Sequence, residues 1–224
     1  MTSNRACIGL ALWLLATLLR ADTNCDGWNT LEWMRTATVE DVDACLAKGA
    51  DVNARDDYGE TPLHAAVSAN ESPAIVEALL HAGAVVNARS HSGRSPLISA
   101  AFHNQNPAIV DVLIKAGANV NARSGPSDWA PLHYAVVYNE NLAIAEALLM
   151  AGANVDVVSK FGWTPLHLAA SGSEDPAFIE ALLDSSADGT ATNNHGSTPW
   201  DLAQSNEAIE GSDAYWRLSD ARYD

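Results

Sequence analysis

Five prolines, Pro62, Pro96, Pro131, Pro165 and Pro199, stand 34, 35, 34 and 34 residues apart, each inside a related segment: "GETPLHAA", "GRSPLISA", "WAPLHYAV", "GWTPLHLAA" and "GSTPWDLA". Gly49, Gly83, Gly117 and Gly152 keep the same step. A fixed period of this length excludes most folds at once. A single unit has too little apolar surface to fold alone, so copies must stack and share one continuous core. The chain has 224 residues, 48% of them hydrophobic, which is material enough for such a core and shows no compositional sign of disorder or of collagen.

Residues 57–90 show how one unit is built. Thr61 can cap a helix with its hydroxyl, Pro62 is preorganised for the first helical position, and Ala65 and Ala66 let a neighbouring helix approach closely. Asn70-Glu71-Ser72 breaks that helix, and Ser72-Pro73 starts a second one by the same device, repeated at Asn106-Pro107 and Asp175-Pro176. Ile75, Val76, Leu79 and Leu80 give the second helix one apolar face, and Gly83 supplies the left-handed residue that ends it. Extended chain and a turn, Val86 to Gly93, then lead to the next cap.

Helix, loop, antiparallel helix and projecting turn, written as "DYGETPLHAAVSANESPAIVEALLHAGAVVNAR", resemble an ankyrin repeat almost throughout. The resemblance implies an all-α repeat solenoid of stacked helix-turn-helix units with projecting β-turn fingers. Four units are expected at 57–90, 91–124, 125–159 and 160–193, the last degenerate at its end. Residues 22–56 form an N-terminal capping repeat in this reading, and residues 194–224 a C-terminal capping repeat and helix. The third unit carries Ala130 in place of the capping Thr and Asp128 in place of the turn Gly; the fourth carries Ser186 in place of the helix-ending Gly. Each change weakens a local device by ~1 kcal/mol, so the C-terminal end is expected to be the less stable one.

Residues 1–21 differ from the rest. Arg5 precedes an apolar run from Cys7 to Leu19, followed by Arg20-Ala21 and then polar residues. This is the layout of a secretory signal peptide, its apolar stretch too short to span a bilayer, with an uncleaved interfacial anchor as the alternative. The segment, the "CDGWNT" start and the "GSDAYWRLSDARYD" end together resemble exported ankyrin proteins of Gram-negative bacteria, which implies a periplasmic or secreted location and no stable membrane span after cleavage. Cleavage would leave Cys25 and Cys45, an even pair in an oxidising compartment, expected as a disulfide against the alternative of two buried thiols.

Twelve basic residues face 28 acidic ones, for a net charge of −16, which moves to −18 without residues 1–21. Such a chain repels phosphate backbones and anionic lipid, so nucleic acid is excluded as a partner; the acid is either a solubilising coat or a match for a basic partner. G-x-S-x-G, H-E-x-x-H, Walker, G-x-G-x-x-G and C-x-x-C motifs are all missing from the sequence. His64, His133 and His167 recur at the third helical position, where a side chain can fold back on the cap's amide as a capping-box glutamate does. Ile98 and Asp201 take that place in the other copies. A metal or catalytic ligand would not tolerate Ile there, so the histidines read as structural.

Function in a repeat array resides in residues the repeat itself does not require. Subtracting the pattern leaves Tyr58, Phe102, His103, Trp129, Tyr134, Tyr138, Phe161 and Trp163, five of them in the second and third units. Large aromatics at variable positions of one face suit a protein-binding patch, while packing over insertions is the competing reading, above all for Trp129. The expectation is a monomeric, non-catalytic module that binds another protein on its concave face, with no catalytic, metal-binding or cofactor-binding residues and no cofactor. An envelope accessory or protective protein is the alternative, and a hydrolase or metal-dependent enzyme built on the array is the third.

Overall fold

The computed structural model describes residues 24–139, 141–221 and 223, so the expected signal segment lies outside the described residues. Among the described residues twelve helices follow one another: α1 Leu31–Thr36, α2 Val39–Ala47, α3 Pro62–Ala69, α4 Pro73–His81, α5 Pro96–His103, α6 Pro107–Lys115, α7 Pro131–Tyr138, α8 Leu142–Met150, α9 Pro165–Gly172, α10 Ala177–Asp184, α11 Pro199–Ala203 and α12 Asp213–Ala221. Odd-numbered helices pack on one another in sequence up to α11, and even-numbered helices pack likewise from α2 to α12, giving two parallel rows. Each unit thus lends one helix to each row.

The core runs between the rows. Leu63, Leu97, Leu132 and Leu166 of the first row and Leu79, Leu113, Leu148 and Leu182 of the second are almost completely buried, at equivalent places in successive units. Each such leucine contributes ~2 kcal/mol by leaving water. Ala66, Ala100, Ala135 and Ala169, all fully buried, keep the first helices close.

The first helices of the units start at the expected prolines, whereas α4 lacks a bond from the Ser72 hydroxyl and α10 begins at Ala177 with Pro176 at its N-cap; the histidines supply a second layer. The Thr61 N–H donates to Nδ1 of His64 at 3.2 Å, the Ala130 N–H to His133 at 3.1 Å and the Thr164 N–H to His167 at 3.3 Å. At Ala130, which has no hydroxyl, the histidine alone still caps the chain. With Nδ1 accepting, the proton sits on Nε2, which donates across to the next unit: His64 to Arg94 O, His133 to Trp163 O and His167 to Ser197 O, at 3.0–3.1 Å. Asp201 serves the Thr198 N–H in the last copy at 2.8 Å. Burial holds all three imidazoles below the ordinary histidine range despite the carbonyls they face, His133 down to about 4.

Three further rows of side chains cross the seams between units; in one, Asn53, Asn87, Asn121 and Asp156 accept a backbone N–H of the following unit. Asn70, Asn104, Asn139 and Asn206 each donate from Nδ2 to two carbonyls of the preceding unit; Asn104 reaches Val67 O at 2.8 Å and Asn70 O at 3.0 Å. Arg55, Arg89 and Arg123 reach forward to the carbonyls of Arg89, Arg123 and Val158. The projecting turns are also linked by backbone bonds, His91 N–H to Tyr58 O, Gly125 N–H to Ser92 O, Lys160 N–H to Ser127 O and Asn194 N–H to Phe161 O.

Both ends are closed. Cys25 and Cys45 are joined, with Cα atoms 5.6 Å apart, which ties the segment before α1 to the buried face of α2 where Cys45 stands in for Leu79. In the chain-entropy view this closure is worth ~3 kcal/mol. At the other end α12 buries Ala214 and Leu218 against the stack, whereas Trp216 is 57% exposed and packs edge-on against Tyr215. Its neighbour Tyr215 takes the covering role by packing on Trp200, with ring centroids 4.7 Å apart.

Candidate functional site

The first helices end in residues that differ from unit to unit. Equivalent positions near the end of α3, α5, α7 and α9 hold Ser68, Phe102, Val137 and Ser171, and the next hold Ala69, His103, Tyr138 and Gly172. Stacking demands none of the large members, since small residues fill the same places elsewhere. One position, just before each helix cap, holds Glu60, Arg94, Trp129, Trp163 and Ser197.

On α5 and α7 these side chains meet. The Phe102 ring stacks on Tyr138 with centroids 4.4 Å apart and planes 18° apart, lies 5.8 Å from Tyr134, and packs on His103 at 4.2 Å. Trp129 stacks over His133 at 5.8 Å and meets Tyr134 edge-on at 5.3 Å and Tyr138 at 6.0 Å. Such pairs are worth ~0.5–1.5 kcal/mol each beyond the area they bury. The cluster spans the seam between the second and third units, where Ile98 leaves the histidine link out.

Packing and exposure divide the cluster. Tyr134 is a strut: half-buried, its hydroxyl lies 3.3 Å from Ser124 Oγ and directly under Gly125, where an added Cβ would meet it at 3.2 Å. Trp129, also half-buried, roofs the inserted turn, whose Ser124 and Trp129 exchange both backbone hydrogen bonds at 2.9 Å. The face offered to solvent consists of Tyr138, His103 and the edge of Phe102. Burial against these rings lowers the His103 pKa, and the Arg94 charge pushes it the same way.

Arg94 is the member that the sequence reading left out. Its guanidinium lies over Phe102, 5.5 Å from the ring centroid, a cation–π contact that joins the cluster to the turns. The signal was present: Arg94 occupies the same variable position as Trp129 and Trp163. A cleft of about 440 Å³ lies beside it, lined by Tyr58, Glu60, His91 and Arg94. Burial there raises the Glu60 pKa, as does Asp56, against the lowering pull of Arg94.

The other expected positions are dispersed. Tyr58 and Phe161 are exposed on separate turns, and Trp163 lies 6.1 Å from the His167 ring. Phe102, His103, Trp129, Tyr134 and Tyr138 therefore form one patch, and Tyr58, Phe161 and Trp163 stand apart from it. Among the described residues no group of three or more His, Cys, Asp or Glu is arranged to hold a metal ion, and no helix is long and apolar enough to cross a membrane.

The family described as ankyrin repeats matches residues 6–90, 33–124, 70–159 and 132–213 in overlapping sets of three copies. Among solved structures, a chain from the complex of the predatory endopeptidase Bd0816 of Bdellovibrio bacteriovorus with immunity protein Bd3460 is similar at 28% identity and a TM-score of 0.71, covering 85% of this chain and 96% of that one. The ankyrin repeat domain of Bcl-3, a member of the IkappaB protein family, is similar at 31% identity and a TM-score of 0.68, with 80% and 78% covered. No curated protein matches the chain significantly.

Proposed function

The chain belongs to the ankyrin repeat family, whose repeats mediate protein–protein interaction, and from that premise we propose that it is an exported, non-catalytic module that holds a partner protein on its concave face. The observation that carries the proposal is the ring cluster of Phe102, His103 and Tyr138, which lies on two neighbouring helices at positions where other units have small side chains. Rigid aromatic area of this kind is what binding hot spots are made of, and Arg94 beside it adds a directional polar contact. The Cys25–Cys45 bridge supports a periplasmic or secreted location, because such a bond persists where the surroundings are oxidising.

Affinity capture from an envelope extract tests the site. Wild-type protein should retain a partner that Phe102→Ala combined with Tyr138→Ala loses, with circular dichroism and melting showing both folded. Equal recovery of every bound protein would remove the cluster from the interface. The likeness to a chain of an endopeptidase–immunity protein complex favours a narrower reading, in which the partner is a hydrolase whose activity this chain restrains. A captured hydrolase that works equally fast with and without the chain would dispose of that version and leave the binding reading in place.

A further inference from the structure

Four units reach back to their predecessor through an asparagine, Asn70, Asn104, Asn139 and Asn206, but the fourth unit has Ser173 at this place. Serine is too short to span the seam and turns to its own loop instead, its Oγ donating to Asp175 O at 2.8 Å and accepting from the Asp175 N–H at 3.2 Å. The preceding residue is Gly172, where neighbouring units carry Ala69, His103 and Tyr138. Two adjacent truncations leave a cavity of about 510 Å³ between the ends of α7 and α9, open to solvent beside the ring cluster.

We propose that this cavity receives an arginine side chain of the bound partner, an inference that rests on the protein-binding reading above and names the chemistry of one of its contacts. The walls are mixed, with Asn139 and Ser173 among them, and one side is apolar: Phe178 is buried at the base, while Val137 and the Tyr138 ring, 41% and 51% exposed, form that side. Glu174 and Asp175 stand at the mouth, both exposed; neither joins an ion pair among the described residues, and Asp175 Oδ1 accepts from the Ala177 N–H at 2.9 Å, which leaves its other oxygen open. Among the described residues no basic side chain lines the cavity. An aliphatic stem against Val137 and Phe178, a planar cation against the Tyr138 ring and two carboxylates at the entrance are the complement of arginine. The net charge of −16 favours the approach of a basic segment.

The probe is N-acetyl-arginine methylamide, titrated into ¹⁵N-labelled, disulfide-bonded protein and followed by amide shifts, with the neutral isostere N-acetyl-citrulline methylamide alongside. Shifts are expected at Val137, Gly172, Ser173 and Glu174, with the arginine compound binding about fivefold more tightly or better. Glu174→Gln with Asp175→Asn should bring arginine down to the citrulline level. Ser173→Asn, which supplies the missing cross-link and fills the space, should abolish the shifts while the remaining spectrum shows the fold intact. Equal binding of the two compounds, arginine shifts spread over the whole acidic surface, or unchanged binding by Ser173→Asn would each overturn the proposal. This readout needs no partner, so a failed titration leaves the ring-cluster capture experiment standing, and the reverse also holds.

Discussion

Ser186 and Asp128 adopt left-handed backbone, with φ of 65° and 56°, at positions where the other units place glycine. A Cβ in that region costs ~1 kcal/mol, so Ser186→Gly should stabilise the protein by about that amount in urea unfolding. Asp128→Gly should gain less, because the Asp128 carboxylate also bonds Arg123 at 3.0 Å. The histidines give a prediction of opposite character. Unfolded, they take up protons as the pH falls below about 6.5, whereas His133 in the folded chain resists until about 4 and His64 and His167 are shifted in the same direction. Stability that is present above pH 6.5 is therefore lost as the pH falls toward 4, His133 alone accounting for on the order of 3 kcal/mol. Urea midpoints at pH 7.5, 6 and 5 check this, and His133→Ile, which copies Ile98, should flatten the profile. The recurrence of His at the third helical position made its bond to the cap amide legible in the sequence. Its second bond, to a carbonyl one unit further on, was not, because that contact depends on how adjacent units stack.

The seam-crossing side chains belong to the scale of helices and loops. Asn104 is buried and holds two carbonyls of the unit before it, so Asn104→Ala would strand both acceptors away from water and should cost ~1–3 kcal/mol, read from the shift in melting temperature. Helix boundaries at this scale followed from the sequence: Pro62 and Pro73 open helices with a preset φ and Asn70 ends one, although the Ser72 hydroxyl makes no cap bond and its N–H is held by Asn70 Oδ1 instead. The aromatic patch was half legible. Five aromatic or imidazole side chains could be named because the repeat does not require them, but sequence spacing could not separate Tyr134, held under Gly125, from Tyr138, which faces solvent. Arg94 was missed because its partner Phe102 lies on the helix that follows, and ring contact is a matter of rotamer and twist.

Across the whole molecule several cross-links lapse in the C-terminal half, although Asn206 resumes the asparagine row and Arg217 pairs with Asp184. The arginine row ends when Val158 takes its place, the asparagine row skips Ser173, and Ser186 carries backbone strain. Local opening should therefore start at that end. In native-state hydrogen exchange, amides beyond Ser186 should exchange faster than those around Leu113. Comparable protection at both places would contradict this reading. The period alone disclosed the solenoid, since units that cannot bury their own faces have one way to be stable. How firmly each unit is tied to the next is a property of pairs, and the single-unit pattern does not express it.

The gap at Ser173 has a mechanical meaning. Units in a row carry an end-to-end load in series, each junction bearing the same force, so the junction with the fewest ties is the one that yields. That junction divides the third unit from the fourth, beyond the rings of Phe102 and Tyr138. A pull on the C-terminus would peel away the distal units as a sacrificial segment, and the aromatic face would stay folded after they had gone.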